Sequence, residues 1–376
     1  MTTVENKVQK LLEKSKEVFR DCLLHNGCLV AAPAQMPYYP KAAKNYFYSW
    51  PGRDVGFSLT GALLLGIDAY EPVLTWLWER AENFRRAPDH LKFSEGLILQ
   101  SYSPNGPVHQ GAFQPDQNGT LLWAISEYAK SHRLTELMRR ISQKLAEGLL
   151  KHWNGSHFTL PTQDLWEERN AHPNFQINLT YSLAATSCGL SWAGQYFQEK
   201  SFSEAAQKMK KIIEEKAYSP EAGHFLRRFG GHLEPSLGID ASMLGLIWPF
   251  SIIDTPDPRI VKTVETVEKK LSTPLGVRRY EFDEYEGETE MGWYHFKQGA
   301  GAWPLLNFWL AIVLKRLSQE EKSQAIFAKS INQIGEDLLI PEQVFPPKDP
   351  RIGVKPLLWA HMMFTHAAHE LGYLSN

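Results

Sequence analysis

Residues 302–314 read Ala-Trp-Pro-Leu-Leu-Asn-Phe-Trp-Leu-Ala-Ile-Val-Leu, with proline near the start and almost nothing polar after it. Proline suits the first turn of a helix, and a helix apolar on nearly every side is one buried on every side. Five other segments share this character: residues 57–66 (FSLTGALLLG), 118–125 (NGTLLWAI), 175–185 (FQINLTYSLAA), 239–250 (IDASMLGLIWPF) and 357–368 (LLWAHMMFTHAA). Their starts, near Arg53, Asp116, Pro173, Gly238, Gly301 and Pro356, recur at roughly 60-residue intervals, the length of two helices plus their loops.

Helices of the opposite kind lie between them. Val4, Val8, Leu11, Leu12, Val18, Phe19, Cys22 and Leu23 form one stripe at helical spacing, opened by a Thr2-x-x-Glu5 capping box and ended by Asn26-Gly27. One-sided stripes recur around Leu134, Ile141, Leu145 and Leu149, from Phe202 through Met209 and Ile213, and from Ile260 through Val264, Val267 and Leu271. The last follows Asp257-Pro258, an N-cap with proline at the first helical position. Six outer and six inner helices in alternation predict an all-α fold, a closed (α/α)6 toroid occupying residues 1–376 as a single domain. Strand signals are confined to short connecting stretches such as Val277 to Phe282.

The chain has 376 residues, 43% of them hydrophobic, enough for one large core. Its 40 basic and 42 acidic residues are mixed along the sequence, leaving no electrostatic footprint for nucleic acid or membrane and favouring a neutral ligand. Cys22, Cys28 and Cys188 have no metal-site spacing, and no basic segment followed by an apolar run opens the chain, so a reduced, cytoplasmic setting is expected. Phosphate loops, dinucleotide fingerprints and nucleophile elbows are missing from the sequence, and no cofactor is expected. The 12 Trp, 14 Tyr and 19 Phe suit sugar binding and helical cores equally, so their position has to decide.

If the inner helices run parallel, the loops leading into them open on one face and surround its centre. Those loops are rich in polar and aromatic residues: Ser49-Trp50-Pro51-Gly52-Arg53-Asp54, Phe113-Gln114-Pro115-Asp116, Asp164-Leu165-Trp166-Glu167-Glu168, Arg278 to Tyr285 and Pro341-Glu342-Gln343. His361, His366 and His369 lack the His-Glu-x-x-His spacing and read as packed or surface histidines. Asp283, Glu284, Glu286, Glu288 and Glu290 read as a solvated acidic loop.

Ser-Trp-Pro-Gly-Arg53-Asp54, Asp164-Leu-Trp-Glu-Glu168, Gly238-Ile-Asp-Ala-Ser242, Arg279-Tyr-x-x-Asp283-x-Tyr285, Pro341-Glu-Gln343 and Pro356-Leu-Leu-Trp-Ala-His361 occur in this order. The set resembles glucoamylase-type enzymes, glycoside hydrolase family 15, from about Gly27 onward. The resemblance implies Glu167 as general acid and Glu342 as the base that activates water. It implies Arg53, Asp54 and Arg279 as sugar-gripping residues, and Trp50, Trp166, Glu168 and Trp359 as pocket lining. Gln114, Asp116 and Trp303, in the loops before the second and fifth inner helices, are further expected sugar contacts. Bacterial and archaeal relatives commonly carry an N-terminal β-sandwich domain, which is not expected here. The Tyr285–Trp303 stretch is longer and more acidic than the family's compact turn, and the Phe113–Gly119 loop departs from the fungal pattern. The implied activity is inverting, exo-acting release of β-D-glucose from α-glucans or α-gluco-oligosaccharides. Two alternatives stay open: a trehalase of the same family, and a non-catalytic carbohydrate-sensing module on the same toroid.

Overall fold

The computed structural model describes residues 3–34, 46–83, 96–106, 108–231, 237–285, 299–347 and 353–374. Eleven α-helices are described: α1 (Thr3–Cys22), α2 (Asp54–Leu64), α3 (Tyr70–Asn83), α4 (Pro115–Ala129), α5 (Glu136–Lys151), α6 (Thr180–Phe197), α7 (Lys200–Lys216), α8 (Pro258–Leu271), α9 (Pro304–Arg316), α10 (Glu320–Gln333) and α11 (Leu358–Glu370). Capping accounts for several starts: the Thr135 side chain accepts from Met138 N before α5, and Asp257 accepts from Arg259 N before α8.

The inner ring consists of α2, α4, α6, a 3₁₀ helix at Ala241–Leu246, α9 and α11. Each packs on the next, and α11 packs back on α2, so the ring closes. Among the outer helices, α1 lies against α10 and α11, α5 against α4 and α6, α7 against α6, and α10 against α9. Among the described residues, five two-stranded sheets decorate the connections; one pairs Ser272–Thr273 with Gly276–Val277, so that of the stretch expected to form a small strand only Val277 does, with Tyr280 in an isolated bridge to Asp240.

Two inner elements depart from the sequence pattern. The third helix begins at Thr180, not near Pro173: residues Pro173–Phe175 form one 3₁₀ turn that ends at left-handed Gln176. Ile177–Leu179 then pairs with Arg228–Gly230 as a strand, a long-range partnership that local periodicity does not encode. The fourth element is a short 3₁₀ helix because Pro249 lacks an amide proton and its ring would collide with the preceding turn.

Aromatic rings from the five inner α-helices and from Trp248, just past the 3₁₀ helix, meet at the centre of the ring. Phe57 of α2 lies 5.2 Å from Trp123 of α4, 5.8 Å from Trp248, 5.8 Å from Trp309 of α9 and 5.7 Å from Trp359 of α11. Tyr181 of α6 completes the set, 6.1 Å from Trp309. These rings plug the barrel between its two ends.

His361 and His366 belong to this core. His361 accepts from Ile340 N at 3.0 Å and contacts Ser15 Oγ at 3.0 Å, while His366 Nε2 contacts Thr60 Oγ1 at 3.0 Å. Burial holds their pKa values down, to about 3 and about 4. The expected solvated acidic loop is corrected at Asp283, which is buried because Arg279 donates to both of its carboxylate oxygens; Glu284 is exposed, and Glu286, Glu288 and Glu290 lie outside the described residues.

Candidate active site

The loops leading into the inner helices surround a cavity of about 380 Å³. Trp50, Arg53, Asp54, Trp166, Glu167, Glu168, Arg279, Trp303, Glu342 and Trp359 all line it. Gln114 and Asp116 do not, and stand one layer behind the wall. Gln114 Nε2 donates to Asp164 O at 2.7 Å and its Oε1 accepts from Gln117 Nε2 at 2.7 Å, while Asp116 Oδ1 accepts from Ser182 Oγ at 2.6 Å. Gln117, absent from the sequence-based set, accepts from the backbone N–H groups of Gly52 and Arg53. These side chains brace the cavity-facing loops from behind.

Glu167 sits at the tip of a hairpin whose strands, Thr162–Gln163 and Asn170–Ala171, pair antiparallel. Its backbone is left-handed, with φ of 65°, a region costly for a residue with a Cβ. The conformation is held by its neighbours: Asp164 Oδ1 accepts from Glu168 N at 3.0 Å and Arg169 N at 3.2 Å, and Gln163 Nε2 donates to Glu167 O at 2.9 Å. Arg53 Nη2 lies 2.8 Å from Glu167 Oε1, and Nη1 donates to Leu165 O at 2.8 Å. Burial works against the charge on Arg53, but Glu167 and Asp54 outweigh it and hold the guanidinium charged. The same guanidinium lies between the Trp50 and Trp359 rings, 5.8 and 5.6 Å from their centres.

Arg279 is held more tightly. It donates to both carboxylate oxygens of Asp283, at 2.9 and 2.8 Å, and to Glu168 Oε1 at 2.6 Å. The rings of Trp166, Tyr280, Tyr285 and Trp303 surround it, 5.5, 5.2, 4.5 and 5.1 Å away. The guanidinium is thus fixed as a permanent cation in the cavity wall.

Glu342 is 4% exposed and receives a 2.7 Å hydrogen bond from Tyr46 Oη. The Tyr46 and Tyr285 hydroxyls are 2.8 Å apart. Burial pushes the Glu342 carboxyl up to about 7, against the opposing pull of Tyr46, Arg279 and Arg53. Asp54 is likewise raised by burial, to about 6, despite Arg53 beside it. Tyr46 is absent from the sequence-based set; the aromatic run Tyr46-Phe47-Tyr48 before Ser49-Trp50 was the one available signal.

Several buried polar atoms of the wall have no partner among the described residues: Trp50 Nε1, Trp303 Nε1, Trp359 Nε1, Arg53 Nε and Glu342 Oε2. A buried donor left unpaired costs about 1–3 kcal/mol, so these atoms suit a ligand rich in hydroxyl groups. Flat rings, fixed guanidinium groups and the carboxyl groups of Asp54, Glu167, Glu168 and Glu342 around one cavity suit the cleavage of glycosidic bonds.

Comparison with known proteins agrees. The family model for glycosyl hydrolases family 15 matches residues 24–369, and the chain belongs to that family. An uncharacterized glycosyl hydrolase of Methanocaldococcus jannaschii is 26% identical over 395 residues, covering 97% of this chain. An isomaltose glucohydrolase of Kribbella flavida is 26% identical over 280 residues, covering 70% of this chain. The chain spans 56% and 65% of the length of these two relatives. Among solved structures, a glutamate-to-alanine variant of a glycosidase in complex with glucose matches with a TM-score of 0.76 at 21% identity, over 99% of this chain and 98% of that one. A bacterial glucoamylase complexed with acarbose matches with a TM-score of 0.75 at 18% identity, over 99% of this chain and 57% of that one. These likenesses establish the (α/α)6 fold.

Proposed function

We propose that the chain is an inverting, exo-acting hydrolase that releases β-D-glucose from the non-reducing ends of α-glucans or α-gluco-oligosaccharides. The observation that supports this most is the joint position of Glu167 and Glu342. They come from loops before the third and sixth inner elements, half a turn apart around the ring, and line one cavity backed by the Trp359 ring. In that arrangement Glu167 protonates the glycosidic oxygen, while Glu342 takes a proton from a water on the opposite face of the sugar. The separation required for inversion is about 6.5–9.5 Å, against about 5–5.5 Å for a covalent mechanism.

Glu342 suits the base because a carboxyl raised to about 7 binds the water's proton more avidly than an ordinary carboxylate, yet is substantially ionised at neutral pH. Arg53, Asp54 and Arg279 supply directed hydrogen bonds for one terminal sugar, and the aromatic plug leaves no passage for a chain to run through. The isomaltose glucohydrolase relative and the glucose-bound neighbour support glucose as that sugar.

Maltose, isomaltose, trehalose, kojibiose and a long maltooligosaccharide would be incubated with the protein and the products followed by proton NMR. Glucose alone, β anomer first, is the expected result. If α-glucose appears first, inversion is wrong; internal fragments would exclude exo action, and release from trehalose alone would make the chain a trehalase.

A further inference from the structure

Arg227 belongs to none of the motifs read from the sequence and does not line the cavity, yet it is 5% exposed and sits between two carboxylates. Its Nε donates to Asp164 Oδ2 at 2.9 Å and lies 3.0 Å from Asp240 Oδ2, and Nη2 also donates to Asp164. Its guanidinium carbon is 4.3 Å from the centre of the Tyr280 ring. Each carboxylate has a second task. Asp164 Oδ1 receives the N–H groups of Glu168 and Arg169, and Asp240 receives Trp166 Nε1 at 3.0 and 3.2 Å. The residues on both sides of Glu167 are therefore held by carboxylates that share one cation. Arg227 is itself anchored: its carbonyl accepts from Thr180 N at 2.9 Å, and the adjoining Arg228–Gly230 strand pairs with Ile177–Leu179.

We propose that Arg227 is a positioning residue for the general acid: through Asp164 and Asp240 it fixes the left-handed turn that aims the Glu167 carboxyl at the glycosidic oxygen. This rests on the reading of Glu167 as the acid and adds to it a residue that touches no sugar. Without the guanidinium, two buried carboxylates would face each other uncompensated and the turn at Glu167 would lose its reason to stay strained. Lysine restores a charge but not the planar fork that spans both partners.

The test compares wild type, Arg227→Lys and Arg227→Met on a disaccharide that the wild type cleaves and on α-glucosyl fluoride, whose leaving group needs little protonation, with thermal melts of each protein. The expected result is a loss of about 100-fold on the disaccharide with fluoride hydrolysis within about threefold of wild type, the pattern of a misplaced acid. Arg227→Lys carries the test if the methionine variant does not fold. Equal losses on both substrates, tracking a lower melting temperature, would reduce Arg227 to a structural support and overturn the proposal, as would an unchanged disaccharide rate. A wild type silent on every glucoside and on the fluoride would overturn the hydrolase reading together with this one, whereas an active wild type with equal losses removes only the role of Arg227.

Discussion

Glu342, the proposed base, concentrates the chemistry of the proposed reaction in one buried carboxyl. Its raised pKa sets a pH dependence: the base must be ionised, so kcat/KM should fall on the order of tenfold for each unit that pH drops below about 7. A profile still flat at pH 5 would remove the group from that role. Glu342→Gln should lower kcat by about 100- to 10,000-fold while substrate affinity, measured by calorimetry, changes little, since the base acts in the transition state. Asp116 gives a stability test of the opposite kind. Burial raises its carboxyl from 3.8 to about 7, so the folded state holds the proton more tightly than the unfolded chain does. That contribution is complete below about 3.8 and is lost as pH rises through about 7. Asp116→Asn keeps an acceptor for Ser182 Oγ and should gain unfolding free energy relative to wild type at pH 8 compared with pH 4, by about a few kcal/mol at most, as read from denaturant melts. A difference independent of pH would show that the carboxyl is not strained by ionisation.

At the scale of elements, the inner helices approach one another closely where glycine permits it. A Cβ on Gly119 of α4 would overlap the backbone of Ala185 and Thr186 in α6, and Gly189 of α6 lies back against the Gly119 carbonyl. Gly119→Ala should therefore destabilise by about 1–3 kcal/mol although alanine is the better helix former. A melting temperature equal to or above that of wild type would mean that the α4–α6 crossing relaxes freely. This contact also marks the limit of what the sequence discloses. All-round apolar helices such as α9 and α11 are legible because every residue carries the signal, and the site loops are legible because their residues are contiguous. The late start of α6 is not, because Ile177–Leu179 is recruited by a strand some 50 residues away. Arg227 and Gln117 are likewise silent in the sequence: a buried arginine or glutamine has no local pattern, and its meaning lies in partners such as Asp164, Asp240 and the Gly52 amide.

For the whole molecule, a formal charge of -2 with acidic and basic residues intermixed leaves little long-range field, and the proposed substrate is uncharged. Hydrolysis should thus change less than about twofold in kcat/KM between roughly 0.05 and 0.5 M salt; a steep decline would point to an anionic substrate. The closure of the ring through α11 and α2 has a further consequence for biosynthesis. Translation delivers the inner elements in order, so Phe57 of α2 is made long before Trp359 of α11, the ring that packs on it. Until then the nascent chain is an open arc whose axial aromatics face water or the chaperone that shields them. Glu342 is made just ahead of α11, so the two carboxyl groups proposed as acid and base are brought together around the cavity only as the circle shuts.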